Sequence, residues 1–192
     1  YLALTDNMPG PTATRPGEIV RAYDGTTVEI LDTDAEGRLV LADAIAYAAQ
    51  AAPVAIIDIA TLTGYARTIG RDYTVVHSDT PELRDALLAA AASVGELAWA
   101  APFARHMRGH LDSGIADLRN IGEPDEGDPV LAAQFLSSFS DGVPWCHLDI
   151  GEAGWAGSTG GELVKGATGA MVRTLRSEEH TSELQSPCNL VC

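Results

Sequence analysis

Val54-Ala55-Ile56-Ile57-Asp58-Ile59 is apolar apart from one aspartate. A strand buried on both faces of a parallel sheet reads this way, because helices cover it from either side. Other short apolar runs flank it: Ile19–Ala22, Thr27–Leu31, Thr74–His77 and Trp145–Ile150. Each reads as a strand, and Asp24-Gly25 between the first two signals a hairpin turn. Helix-like runs stand between the others, at Gly37–Ala52, Pro81–Val94, Pro102–His110 and Pro129–Ser140. Strands alternating with helices predict an α/β fold whose sheet is covered on both faces. Ligands in such folds gather at the carboxyl ends of strands. Thr61-Leu62-Thr63-Gly64 follows one such end and Gly151–Gly161 another. Gly122–Asp128 is acidic and contains Gly and Pro, so it reads as an exposed loop.

Composition narrows the class. The 192 residues suit one domain, and 46% hydrophobic against 20% charged residues indicates a folded chain. No apolar run is long enough to span a membrane. The chain starts at Tyr1 and not at Met, so it is expected to be a fragment. Arg176–Ser186 resembles the conceptual translation of a sequencing adapter. Residues 176–192 are therefore set apart as an expected non-native tail, leaving residues 1–175 for the fold. Without the tail, 11 basic and 24 acidic residues remain, a net charge of −13. Such a surface disfavours nucleic acid and anionic membranes as partners. Cys146 is the one cysteine outside the tail. It lies in an apolar run and reads as a packed core thiol in a reducing cytosol, not as a nucleophile.

Chemistry concentrates in Asp32-Thr33-Asp34-Ala35-Glu36-Gly37-Arg38-Leu39, between a strand-like and a helix-like run. Ionisable groups packed there are costly unless they pair or ligate something. Two readings stand side by side. Thr33-x-x-Glu36 has the pattern of a capping box at a helix start, where acidic residues also suit the helix dipole. Alternatively, Asp34 and Glu36 offer carboxylate oxygens to hard divalent cations, with Arg38 close enough to hold an anion.

Other features are weaker. His106 and His110 are spaced i, i+4, but Met107 stands where a zinc-peptidase helix needs Glu, so a solvated or helix-end pair is the better reading. Gly154–Gly166 with Lys165 does not match a phosphate loop. Ser78, Ser158 and Thr159 have no evident triad partners. Asp58 and Asp149 lie near strand ends, where they either line a site or form buried hydrogen bonds.

Thr33-Asp-Ala-Glu-Gly-Arg-Leu39 reads the same as the signature core of leucyl aminopeptidases, and the chain resembles this cytosol aminopeptidase family of dinuclear metallopeptidases. The likeness extends, in family order, to Asn7-Met8-Pro9, Arg15–Glu18, Ala60–Gly64, Ala116–Asn120, His147–Ile150 and Lys165–Gly169. It covers Tyr1 to Leu175 and implies that these residues are part of a catalytic domain. The resemblance implies a central mixed β-sheet sandwiched by helices, incomplete at its N-terminal side. It implies a cytoplasmic homohexamer that releases N-terminal residues from peptides through a water activated by two Zn²⁺ or Mn²⁺ ions. In that likeness Asp34 ligates one metal and Glu36 bridges both. Arg38 acts with a bicarbonate-like anion. Groups around Thr61, Leu62 and Gly64 hold the substrate amine and peptide unit.

Three departures qualify the likeness. Asp32 replaces the family's usual Asn, adding charge near the metals and the leaving-group pocket. Gly151-Glu152-Ala153-Gly154 stands where Ala-Gly-Thr-Ala is more usual, beside the pocket for the first side chain, so a preference for leucine does not follow. The family's remaining metal ligands and its catalytic lysine precede the segment that starts at Tyr1. The resemblance therefore implies an active parent and an inactive isolated chain. The alternative is a non-catalytic homologue that acts by hexamer assembly or binding.

Overall fold

The structure is a computed structural model describing residues 1–123, 127–161, 163–178 and 189–191. Part of the expected loop 122–128, and residues 179–188 and 192 of the expected tail, lie outside the described residues. Strands β1 (Ile19–Arg21) and β2 (Thr27–Glu29) form the expected antiparallel hairpin. Gly25 turns it at φ +97°, a region that side chains with a Cβ rarely enter. Strand β6 (Leu118–Arg119) adds in parallel to β2, making a small three-stranded sheet.

The principal sheet is built from β3 (Ile56–Ala60), β4 (Thr74–Ser78), β5 (Ala98–Ala100) and β7 (Trp145–Asp149). Its order is β3-β7-β4-β5, with β10 (Asn189–Val191) on the outer edge of β3. β3 runs parallel to β7 and β4 parallel to β5, but β4 runs antiparallel to β7. The sheet is mixed, as the family likeness implies.

Helices cover both faces. Ile56 and Trp145 pack with the apolar stripe of α1 (Gly37–Ala49) and with α4 (Asp128–Ser137). Their chain neighbours Ile57 and Cys146 face the other way, against α3 (Pro81–Ser93) and Met171, just before α5 (Val172–Glu178). That alternation is the period-2 geometry of a strand with both faces buried. Alanines at 42, 46 and 49 let α1 lie close on the sheet. Short elements complete the chain: α2 (Ala66–Ile69) and the β8–β9 ribbon (Trp155–Ala156, Gly166–Ala167). Among the described residues, no helix is long and apolar enough to cross a membrane.

One predicted helix is replaced. Residues Arg105–Leu111 form a 3-10 helix, not the α-helix read at Pro102–His110. With three residues per turn, His106 and His110 do not share a face, and both are exposed. The zinc-helix geometry is therefore absent from this pair.

Candidate active site

The loop between β2 and α1 is shaped by its own side chains. Asp32 Oδ1 accepts the backbone N–H of Asp34 at 2.9 Å, closing an Asx turn. Asn120, fully buried after β6, clamps the same loop. Its Oδ1 accepts the N–H groups of Leu31 (2.9 Å) and Asp32 (3.3 Å), and its Nδ2 donates to the Asp32 carbonyl. The capping box does not form. α1 starts at Gly37 behind Glu36, and no side chain caps its N-terminus. Two contacts explain this: the Asx turn takes the chain through Thr33–Asp34, and Glu36 Oε1 accepts from Asn7 Nδ2 at 3.0 Å. The carboxylate of Asp34 accepts no hydrogen bond among the described residues.

Arg38 is buried on the first turn of α1. Nη1 donates to the Asn120 carbonyl and Nη2 to Asp128 Oδ1, both at 2.8 Å. Asp128, at the start of α4, is 57% exposed, so the pair joins a buried cation to a carboxylate at a solvent-facing rim.

The second wall follows β3. The buried carboxylate of Asp149, at the end of β7, accepts the N–H groups of Leu62 (3.2 Å), Thr63 (3.1 Å) and Gly151 (3.0 Å), and the Thr63 hydroxyl. All peptide bonds here are trans. In a trans peptide the carbonyl points opposite to the N–H, so the Thr61 and Leu62 carbonyls turn away from Asp149. Neither accepts a hydrogen bond among the described residues. Gly151 permits this approach, since a Cβ there would lie 2.0 Å from the Thr63 carbonyl oxygen.

A cavity of about 530 Å³ opens between the walls. Asp32, Asp34, Glu36 and Arg38 line one side, Thr61–Gly64 another, and Ile121–Glu123 with Asp128 a third. Seven of the eight sequence-predicted site residues thus share one cavity. Gly151 does not line it and stands behind the Thr61–Gly64 loop. Asn120, Asp128 and Asn7 support this cavity but received no role from the sequence. An asparagine that clamps a distant loop carries no local signal separating it from one that forms a turn.

The remaining candidates are structural. Asp58 is fully buried in β3, accepting from Trp145 Nε1 at 2.7 Å and pairing with His147 Nδ1. Burial opposes the charge on His147, yet the Asp58 charge and hydrogen bond raise its pKa, with Asp149 adding to this. His77 lies across from His147 on β4, its ring stacked at 6.0 Å. Burial first, and His147 second, lower its pKa to about 3. Cys146 is buried, and burial pushes its thiol pKa well up, as befits an inert core group. Ser78 donates to the Trp145 carbonyl, and Thr159 accepts the Lys165 N–H. Among the described residues, neither is hydrogen-bonded to a base that could activate it.

Residues 1–176 match the catalytic-domain model of the cytosol aminopeptidase family. The chain belongs to the cytosol aminopeptidase family. It is 46% identical over 175 residues to a probable cytosol aminopeptidase of Neisseria meningitidis, covering 91% of this chain and 36% of that protein. Similar proteins of the same description come from Streptomyces avermitilis, at 47% over 178 residues, and Streptomyces coelicolor, at 48% over 179. Each covers 91% of this chain and is itself covered to 34%. The chain spans about a third of the length of the curated relatives it matches.

A divalent metal site needs oxygen or nitrogen ligands, and the donors in this segment of a cytosol aminopeptidase family member fit in kind. Asp34 and Glu36 face the cavity with free carboxylate oxygens, the donors hard divalent cations prefer. They are too few to complete a sphere. Among the described residues, no group of three or more His, Cys, Asp or Glu could hold a metal ion.

Proposed function

We propose that the protein containing this segment is a metal-dependent aminopeptidase acting on peptides with a free N-terminus. The observation that carries this reading is the shared cavity. Asp34, Glu36 and Arg38 line one space together with the Thr61–Gly64 loop, whose Thr61 and Leu62 carbonyls point away from Asp149. Divalent metal ions such as Zn²⁺ or Mn²⁺, when bound, supply an activated water and Lewis acidity. Asp34 and Glu36 would hold them, together with ligands from outside this chain.

The chain's own groups do the rest. The carbonyls of Thr61 and Leu62 accept hydrogen bonds from the substrate's ammonium and peptide N–H. Arg38 either counters negative charge developing on the scissile carbonyl oxygen or holds a bicarbonate-like anion that orients the attacking water. Asp128 already pairs with Arg38, so an external anion must share that guanidinium. Asp32 keeps Asp34 and Glu36 turned to the cavity through its Asx turn and places a further negative charge on the wall.

Homohexamer assembly and a cytoplasmic location belong to the same proposal and rest on the family. We further propose that the isolated chain is inactive. The test compares leucine p-nitroanilide turnover by the full-length protein and by this chain, each with added Zn²⁺ or Mn²⁺. Turnover by the full-length protein alone supports the reading. No turnover from a folded, metal-loaded full-length protein would favour the non-catalytic homologue.

A further inference from the structure

We propose that Asp149 is the positioning residue of the substrate-binding loop, setting affinity for the peptide without touching it. The inference rests on the peptidase reading above. Four donors converge on one buried carboxylate: the N–H groups of Leu62, Thr63 and Gly151, and the Thr63 hydroxyl. Because the N–H groups of Leu62 and Thr63 point inward, the carbonyls of Thr61 and Leu62 face outward. A loop that would otherwise present mixed polarity becomes a ledge of acceptors. That is the polarity a substrate ammonium and peptide N–H require. Asp149 also ties the turn at Gly151 to the loop, and Gly151 lets the two backbones touch. The strand holding Asp149 is fixed, because all five residues of β7 are buried.

Contacts from such a ledge exist equally in the bound substrate and in the transition state. Their loss raises KM and spares kcat. Asp149→Asn sets an NH₂ group against inward-pointing donors. In the full-length enzyme it should raise KM for a leucyl dipeptide about tenfold or more, the size of one hydrogen bond, with kcat within about threefold. Thr63→Val removes only the hydroxyl and should raise KM about threefold with the same split.

Amide exchange on the full-length protein gives a readout independent of catalysis. The Leu62, Thr63 and Gly151 amides should be protected in the wild type. They should lose protection together in Asp149→Asn, while the β7 amides stay protected. A fall in kcat at unchanged KM would overturn the proposal, since that is the mark of fewer active molecules. So would protection at the three amides that is missing in the wild type or survives the substitution. If Asp149→Asn does not fold, Thr63→Val decides by the same KM-against-kcat split. Absence of turnover from the wild-type enzyme would overturn the peptidase reading and the KM claim with it. Exchange would then decide separately whether Asp149 holds the loop.

Discussion

Two regions of this molecule gather carboxylates, and they treat them oppositely. In the sheet interior, Asp58 has both oxygens engaged, by Trp145 and His147, and is sealed from solvent. At the cavity, Asp34 is without a side-chain partner among the described residues, and Glu36 commits one oxygen to Asn7. The interior row Asp58–His147–His77 crosses three adjacent strands at one level. The cavity set sits at loop ends, where turns expose the groups. The difference teaches where function resides. A satisfied buried carboxylate holds structure, whereas one with open lone pairs on a cavity wall can bind something.

Substitution should separate the regions by what is lost. Asp58→Ala leaves His147 and Trp145 unpaired in the core and should cost about 3–5 kcal/mol in urea unfolding. Asp34→Asn should leave stability within about 0.5 kcal/mol. Because Asp34 is the proposed metal ligand, the change should nevertheless lower peptidase turnover by the full-length protein roughly 100-fold or more, since a ligand matters at least as much as its supporting contacts. If Asp34→Asn destabilised the fold as strongly as Asp58→Ala, the distinction would collapse.

The interior row also carries a pH signature. His77 takes up a proton near 6.5 when unfolded but only near 3 when folded. Between those values the unfolded state binds more protons, so stability falls as the pH falls. From pH 7 to about 4.5 this contributes roughly 2–3 kcal/mol of loss, which His77→Phe should remove. His147 acts in the opposite sense. Its raised pKa gives stability that is full below 6.5 and is lost as pH rises through the folded value. Unfolding free energies of both proteins across this range check the sign. The smallest effect belongs to the cavity loop. Asp32→Ala breaks the Asx turn and should cost about 1 kcal/mol, while Asp32→Asn keeps an acceptor and should cost a few tenths.

Much of this was legible in the residues. The two-faced strand Val54–Ile59 and the alternation around it fixed an α/β sheet, because side-chain period directly reports which faces are buried. The mixed strand order, with β4 antiparallel to β7, has no such local signal and came with the family likeness. The Asp32–Arg38 segment stood out by charge density, and the fold places it on a cavity wall. Its capping-box reading failed because a side chain of the loop itself, Asp32, outcompeted Thr33 for shaping the turn. Asn120 and Asp128 lie more than eighty residues from the groups they hold, and only the fold brings them there. The 3-10 helix at Arg105–Leu111 was read as an α-helix because propensity hardly separates the two over so short a run.

The most direct test of the metallopeptidase reading is to measure bound metal and turnover together in the full-length protein and in its Glu36→Gln variant. Glutamine preserves the length of Glu36 and an acceptor for Asn7 but removes the charge. The expected result is a folded variant that has lost both stoichiometric Zn²⁺ or Mn²⁺ and leucine p-nitroanilide turnover. A variant that keeps both would contradict the assignment of this cavity as a metal centre.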